Sequence, residues 1–191
     1  MAAPSPRLRQ RSRSDAAVLA PGGTAAALEA VRNATTDLAL LLEPTLTAAD
    51  VLLEPIGSES LVLLAAPTAA SAQMSWTWAD LAAGNALLLE EGCSYSDDAA
   101  RRLLAAGQPA TRRTRFGSIE ATKQCVAAGL GWTVLPTATA TPELQARTLI
   151  ALPGPSLADC TVYLATHPKR SLAPAAQLVR DGLRNLWAAA A

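Results

Sequence analysis

Three short stretches combine glycine with a hydroxyl or thiol side chain directly before a predicted helix. They are Gly22–Gly23–Thr24, Gly92–Cys93–Ser94 and Gly117–Ser118. The amides in the first turn of a helix lack backbone acceptors and carry partial positive charge, so each stretch suits a carboxylate or another small anion. The side chains of Thr24, Ser94 and Ser118 add hydroxyl groups for hydrogen bonding. These residues therefore indicate non-covalent binding of a small molecule.

Covalent catalysis is the competing interpretation, and it depends on Cys93. A thiol at a helix N-terminus can have a lowered pKa, but a nucleophile also needs a base. The only histidine, His167, is predicted in or after a late strand, and no Ser/His/Asp order is recognisable. An enzyme that uses Cys93 stays an alternative, which the reactivity of the thiol would decide.

Metal and cofactor sites are not predicted. The three cysteines, Cys93, Cys125 and Cys160, are widely spaced and odd in number, which excludes metal-ligand spacing and favours a reducing compartment. We expect Cys125 and Cys160 to be structural. No glycine-rich phosphate loop of the P-loop or dinucleotide type is present.

The stretch from Gly117 to Pro136 is the most organised part of the chain. Ser118 stands where an N-cap belongs, Glu120 lies in the first helical turn and Gly129 supplies a left-handed C-cap. A well-capped helix followed by a strand would explain these residues without any ligand. From the residues alone, both the structural and the ligand-binding interpretation of Ser118 stay open.

Strands and helices alternate along the chain, which predicts βαβ units and a mostly parallel sheet. In such sheets, ligands bind beyond the carboxyl ends of the strands, at helix N-termini. A turn is predicted at Gly57–Ser58, and Thr24 is a plausible N-cap. The predicted strands are Asp15–Pro21, Asp37–Glu43, Val51–Ile56, Glu59–Ala66, Ala86–Glu90, Thr111–Phe116, Trp132–Leu135, Thr148–Leu152 and Thr161–Ala165, and the predicted helices are Ala25–Asn33, Trp78–Ala83, Tyr95–Ala106, Ser118–Ala128 and Leu172–Trp187.

Two of these elements carry distinctive patterns. The last helix has Leu172, Ala176, Val179, Leu183 and Leu186 at helical spacing, which predicts one buried face. The strand Thr111–Phe116 contains three arginines, which are typical of a solvated edge strand. One of Arg112, Arg113 and Arg115 would alternatively neutralise an anionic ligand near Ser118.

The chain has 191 residues, enough for one medium domain or two small lobes. Half of the residues are hydrophobic, and Lys+Arg and Asp+Glu are equal at 16 each, which gives no broad electrostatic argument for nucleic acid or a membrane. No apolar run reaches the length of a membrane span. The first 14 residues form a basic tail without the apolar middle of a secretion signal, so we expect a cytoplasmic protein.

The order of several motifs resembles the effector-binding domain of LysR-type transcriptional regulators. The resemblance covers about Asp15 to Trp187. The matching segments are Gly117-Ser118-Ile119-Glu120-Ala121, the run from Cys125 to Gly131, Leu135-Pro136, Asp37-Leu38-Ala39-Leu40, Leu53-Glu54, the run from Glu59 to Pro67, and Gly92-Cys93-Ser94-Tyr95.

The resemblance implies an α/β fold of the type II periplasmic-binding-protein kind, with two Rossmann-like lobes joined by two crossing strands. Lobe I would comprise residues 15–66 and 160–191, and lobe II residues 67–159. A small, anionic effector would bind in the cleft between the lobes, and its binding would close them and alter transcription through a homo-oligomer. The residues expected to bind it are Thr24, Cys93, Ser94, Ser118, Ile119 and Pro136; no catalytic residue, metal or cofactor is expected.

Family members begin with a winged helix-turn-helix, a linker helix and the first strand and helix of lobe I. Residues 1–14 are too few for a three-helix DNA-binding unit, so the chain resembles a truncated member, a fragment, or a sequence with a misplaced start, with an incomplete lobe I. DNA would then be contacted only through a helix-turn-helix domain absent from this chain. A stand-alone solute-binding protein of the same fold is the alternative function, and it would require export.

Overall fold

The computed structural model describes residues 23–68, 75–107 and 112–188. Its helices are α1 (Gly23–Arg32), α2 (Trp78–Ala83), α3 (Ser94–Ala105), α4 (Ile119–Ala127), α5 (Thr137–Gln145) and α6 (Pro174–Ala188). Its strands are β1 (Leu38–Glu43), β2 (Leu52–Glu59), β3 (Leu61–Ala65), β4 (Asn85–Leu89), β5 (Arg112–Phe116), β6 (Trp132–Pro136), β7 (Ile150–Ala151) and β8 (Cys160–Thr166). The predicted strand Asp15–Pro21 and the basic tail lie outside the described residues.

The described residues form two compact units. Unit 1 consists of residues 23–58 and 160–188, and unit 2 lies within residues 59–159. Residues 59–66 group with unit 2 because β3 pairs with β6 and with β7 in the same sheet. Within the three described ranges, none of the helices combines the length and the apolar character needed to cross a bilayer.

Unit 1 contains a three-stranded sheet in the order β1-β8-β2. Strands β1 and β8 are antiparallel, from Leu38 opposite Thr166 to Glu43 opposite Thr161. Helix α1 packs against this sheet because its leucine and valine lie on one face and meet apolar side chains of the strands. The buried cluster consists of Leu28, Val31, Leu41, Val51 and Ala165.

Unit 2 contains a five-stranded sheet in the order β5-β4-β6-β3-β7. Strand β4 runs parallel to β5 and to β6, whereas β3 runs antiparallel to β6 and β7. Leu87 and Leu88 of β4, an interior strand, are 2% and 0% exposed, as expected of a parallel strand that is covered on both faces. The α/β class is therefore confirmed, but the sheets are mixed rather than mostly parallel.

The predicted turn at Gly57–Ser58 is wrong, and one helix was not predicted. Strand β2 continues through Gly57 and Ser58, and the break before β3 falls at Ser60. A Cβ on Gly57 would lie 2.5 Å from the indole Cδ1 of Trp187, so this contact accounts for a glycine inside the strand. Glycine here admits the indole rather than making a turn. Helix α5 was not predicted, and its Pro142 lies inside the helix, where proline normally argues against one.

The last helix also differs from its prediction. Helix α6 begins at Pro174, so Leu172 precedes it, and the described residues of α6 include no buried side chain. Val179 and Leu186 are 40% and 42% exposed. The prediction of one buried face is therefore wrong, because periodicity does not show how much of an apolar face a neighbouring element covers.

Candidate functional site

The loops that follow β4 and β5 lie side by side at one edge of the unit 2 sheet. The two strands are parallel neighbours, with Leu89 opposite Phe116 at their carboxyl ends. The chain continues from β4 through Gly92 into α3 and from β5 through Gly117 into α4. Two of the three predicted stretches are therefore brought to the same sheet edge.

The start of α3 is held tightly against the end of β4. Ser96, which is fully buried, accepts a hydrogen bond at its Oγ from the Leu89 amide at 3.0 Å. Asp97 accepts the Gly92 amide at 2.9 Å, and Gly92 has a φ of 88°, which favours glycine. These contacts fix the position of Cys93, the N-cap residue, whose side chain makes no cap hydrogen bond.

Ser118 is the N-cap of α4, as predicted. Its Oγ accepts the Ala121 amide at 3.4 Å, and its carbonyl accepts the Thr122 amide at 3.0 Å. The long Oγ distance indicates a weak cap bond, and Ser118 is exposed. The hydroxyl therefore lies at the open edge, where a ligand can reach it, while the half-buried Ile119 begins the helix.

Arg115 connects the two loops. Its Nη2 lies 2.8 Å from Asp97 Oδ1 in α3, and its Nη1 donates to the Leu89 carbonyl at 2.8 Å. The prediction of a solvated edge strand is correct for Arg112 and Arg113, which are exposed on β5 at the edge of the sheet. It is wrong for Arg115, because the strand pattern alone did not reveal an acidic partner, Asp97, on the preceding helix α3.

Pro136 ends β6, the other parallel neighbour of β4. It therefore lies at the same edge of the sheet, but it is buried. Its carbonyl accepts the Thr139 hydroxyl at 2.7 Å in the first turn of α5. Pro136 is therefore a buried residue at this edge of the sheet.

The Cys93 thiol is unsuited to nucleophilic chemistry. Burial raises the pKa of Cys93, and this effect outweighs the hydrogen bonds that lower it. A nucleophilic cysteine needs the opposite shift. At Cys93, burial of the side chain therefore dominates the pKa.

Thr24 belongs to unit 1 and not to the sheet edge of unit 2. It is the second residue of α1 rather than its N-cap, because the helix already begins at Gly23 with a φ of 68°. The Thr24 hydroxyl donates to a carboxylate oxygen of Glu43 at the end of β1. No local signal in the sequence predicted this contact, because the two residues are 19 positions apart.

Lys123 is a charged residue that the motif analysis did not single out. It lies in α4, five positions after Ser118, and is 5% exposed. Its ammonium group contacts Glu120, Glu143 and the Thr139 carbonyl. The available signal was its helical spacing, because Lys123 lies four positions after Ile119 and three before Val126, on the apolar face of the predicted helix.

An open pocket among the described residues of unit 2 lies elsewhere. It encloses about 320 Å³ and is formed by residues at the starts of β4 and β6, such as Asn85, Gly131 and Trp132, together with Trp76. These positions are at the opposite ends of the parallel strands from Ser118. The pocket is therefore separate from the edge that carries the predicted binding residues.

A metal centre has no counterpart in the described part of the chain. Residues 23–68, 75–107 and 112–188 contain no group of three or more His, Cys, Asp or Glu side chains placed to hold a metal ion.

Comparison with sequence families gives a clear match. The model of the LysR substrate binding domain matches residues 6–188. A comparison with curated proteins finds no match.

Several solved structures share the fold. The regulatory domain of CcmR from Synechocystis PCC6803, in complex with 2-PG, is 23% identical, with a TM-score of 0.64 over 83% of this chain and 77% of that one. The apo regulatory domain of HypT from Salmonella typhimurium is 19% identical, with a TM-score of 0.69 over 95% and 87%. Full-length LysG from Corynebacterium glutamicum, with bound effector Arg, is 20% identical, with a TM-score of 0.64 over 86% and 55%.

Proposed function

The chain belongs to the family of LysR substrate-binding domains, and on that premise we propose that it binds its effector at the sheet edge where the loops after β4 and β5 meet. Members of this family are the effector-sensing domains of LysR-type transcriptional regulators and are not enzymes. The function of this chain is accordingly to sense a small molecule and not to transform one.

The observation that carries the placement is the pairing of β4 with β5. Because the two strands are parallel and adjacent, Gly92–Ser94 and Gly117–Ser118 follow them at one edge. Ligands of open parallel sheets bind at such an edge. We assign hydrogen bonding to Ser94 and Ser118 and packing to Cys93 and Ile119, with Pro136 as support; the contribution of Thr24 from unit 1 stays a prediction.

The effector is proposed to carry a carboxylate or another anionic group. The first-turn amides of α3 and α4 carry partial positive charge, and Arg115 places a guanidinium beside them. Asp97 already engages this guanidinium at 2.8 Å, so the helix termini supply most of the attraction. We therefore expect weak binding of simple anions and tighter binding of a molecule that also reaches Ile119.

Two further proposals concern the setting of the domain. We propose a homo-oligomer that uses the surface of α1 and the strand after it, and DNA contact through a helix-turn-helix domain outside this chain. The three cysteines are widely spaced along the sequence and odd in number, which favours a reducing cytoplasm. Sedimentation of the wild-type chain with and without effector tests the oligomer.

A thermal-shift screen against small carboxylates tests the sensing function. A ligand that binds the native state must raise its stability, by about 2.7 kcal/mol at one hundred times Kd. We expect at least one carboxylate to stabilise the wild-type chain and to lose this effect in Ser118→Asp, where a second negative charge faces the ligand. Stabilisation of both chains to the same extent would contradict the placement at Ser118.

A further inference from the structure

Lys123 is a buried cation whose three ammonium hydrogens all have acceptors. Its Nζ lies 2.7 Å from Glu143 Oε1 and 2.8 Å from Glu120 Oε1, and it donates to the Thr139 carbonyl at 3.1 Å. Glu120 is in the first turn of α4, and the other two partners are in α5. A lysine ammonium has three donors, so this arrangement satisfies it completely.

Lys123 is a buried charge, and its partners differ in how far they are buried. The Lys123 side chain is 5% exposed and that of Glu143 is 20% exposed, whereas that of Glu120 is 73% exposed. A buried charge is tolerated only where its partners hold a defined geometry. The positions of Thr139 and Glu143 relative to α4 are therefore fixed by Lys123, and Glu120 contributes less.

The first turn of α5 is held from its other side by the residues where the chain enters unit 2. The Ala138 amide donates to Glu59 Oε1 at 2.8 Å, and the Thr137 amide donates to the Ser60 carbonyl at 2.8 Å. Glu59 is the first residue of unit 2 after the chain leaves unit 1. Helix α5 thus contacts both α4 and the entry segment Glu59–Ser60.

We propose that Lys123 is a positioning residue that transmits effector binding at the start of α4 to α5 and from there to Glu59 and Ser60. This inference rests on the proposed placement of the effector at Ser118. A ligand at Ser118 and Ile119 shifts the first turn of α4, which carries Glu120 and leads directly to Lys123. Since Lys123 is bonded to the Thr139 carbonyl, the shift reaches the turn that Glu59 and Ser60 hold.

The first experiment needs no ligand. Amide hydrogen exchange is compared between the wild-type chain, Lys123→Met/Glu143→Gln, and the control Asp98→Asn, which removes exposed ion pairs with Arg101 and Arg102 in the same unit. In the double variant, we expect the Thr137 and Ala138 amides to exchange roughly tenfold faster, with Leu87 and Leu88 of β4 unchanged. Asp98→Asn should leave all four rates unchanged.

The second experiment uses inorganic phosphate as a probe, followed by nitrogen–proton correlation spectra. In the wild-type chain, the Ile119 and Glu120 amides should shift on titration, and those of Thr137 and Ala138 should shift with the same half-saturation. In Lys123→Met/Glu143→Gln, the first pair should still respond and the second pair should not. Glu143→Gln alone keeps Lys123 and its bond to Thr139, so the Thr137 and Ala138 amides should retain part of their shift. This single variant provides the test if the double variant folds poorly.

The outcomes separate this inference from the proposed site. Phosphate shifts at Ile119 without any at Thr137 in the wild-type chain would overturn the coupling and leave the site intact. No shift at Ile119 would count against the site, and the exchange rates would then decide on Lys123. If the Thr137 and Ala138 amides of the folded double variant exchange at the wild-type rate, the positioning role is overturned. If amides throughout unit 2 exchange faster, Lys123 stabilises the unit as a whole and the positioning role is likewise overturned.

Discussion

The guanidinium of Arg115 lies 2.8 Å from Asp97, so that an ion pair joins the end of β5 to the first turn of α3. The same guanidinium donates to the Leu89 carbonyl at the end of β4. One side chain therefore fixes the relative positions of the two loops in which the effector site is proposed. The site depends on this contact as well as on the residues that would touch a ligand.

Replacement of Arg115 should weaken both stability and binding. Arg115→Met removes the guanidinium that contacts Asp97 Oδ1 and the Leu89 carbonyl, while Asp97 keeps its bond from the Gly92 amide. Because the ion pair is about one-third exposed, we expect a loss of about 1 kcal/mol in the free energy of unfolding. Urea denaturation measures it. Arg113→Met is the matched control, because Arg113 is exposed on the same strand and should leave stability unchanged. Equal effects of the two variants would show that the Arg115 contacts do not hold the loops.

Ser118 combines a cap role with a proposed ligand role, and two substitutions separate them. Ser118→Ala removes the acceptor of the Ala121 amide and should cost about 0.5–1 kcal/mol of stability as well as effector binding. Ser118→Asp keeps a good N-cap and should keep stability, but its charge should weaken binding of a carboxylate at least tenfold. Calorimetric titration and urea denaturation measure the two quantities. Full binding by the Asp variant would remove Ser118 from the site.

Gly131 is required for the close approach of the chain to β4. A Cβ at this position would lie 2.1 Å from the Asn85 carbonyl oxygen, which is backbone and cannot rotate away. Gly131→Ala should therefore destabilise the fold by about 1–3 kcal/mol. Gly117→Ala is the control, since a Cβ there meets no atom within 4 Å. A thermal midpoint of Gly131→Ala equal to that of the control would contradict this packing.

The pair of Lys123 and Glu143 predicts a pH dependence of stability. Burial is the largest single effect on Glu143 and would raise its pKa, but the hydrogen bond from Lys123, a backbone hydrogen bond and the charge of Lys123 together outweigh burial and hold the pKa below the ordinary value of 4.5. Burial likewise opposes the charge of Lys123, but its hydrogen bonds to Glu120 and Glu143 raise its pKa above 10.5. The contribution of Glu143 is therefore present above pH 4.5 and is lost as the pH falls through its lowered pKa, and that of Lys123 is present below pH 10.5 and is lost as the pH rises through its raised pKa.

Glu143→Gln tests this dependence directly. At pH 7 we expect the free energy of unfolding to fall by about 2 kcal/mol, because the buried charge of Lys123 loses its best partner. The difference in the free energy of unfolding between the variant and the wild-type chain should shrink as the pH falls below 4.5, since protonated Glu143 resembles glutamine. Urea denaturation at several pH values measures it, with Asp98→Asn as the control. A difference that is independent of pH would show that the ion pair does not stabilise the fold.

Much of the fold was predictable because its signals are local. Ser118 and Gly129 mark the ends of α4 by their types alone, and Gly129 has the expected left-handed φ of 78°. Helix α5 escaped prediction because Pro142 and the β-branched threonines of α5 lower helix propensity, while Glu59 and Ser60 supply distant acceptors for its first turn. Local rules fail where a partner far along the chain determines the structure.

In the candidate site too, local features were predictable from the sequence and distant contacts were not. The small residues at Gly92–Ser94 and Gly117–Ser118 were identified from their positions before helices, and the parallel pairing of β4 and β5 places both at one edge. The contacts of Arg115 with Asp97 and of Thr24 with Glu43 were not predicted, because each joins residues 18 or more positions apart. Side-chain partners at such separations depend on the packed structure.

The most direct test of the effector site is a set of amide shifts measured with the carboxylate that most stabilises the wild-type chain. The account predicts that the largest shifts on titration occur at Cys93, Ser94, Ser118 and Ile119, at the edge formed by the ends of β4 and β5. Shifts concentrated at Asn85, Gly131 and Trp132, which line the pocket at the opposite ends of these strands, would contradict it.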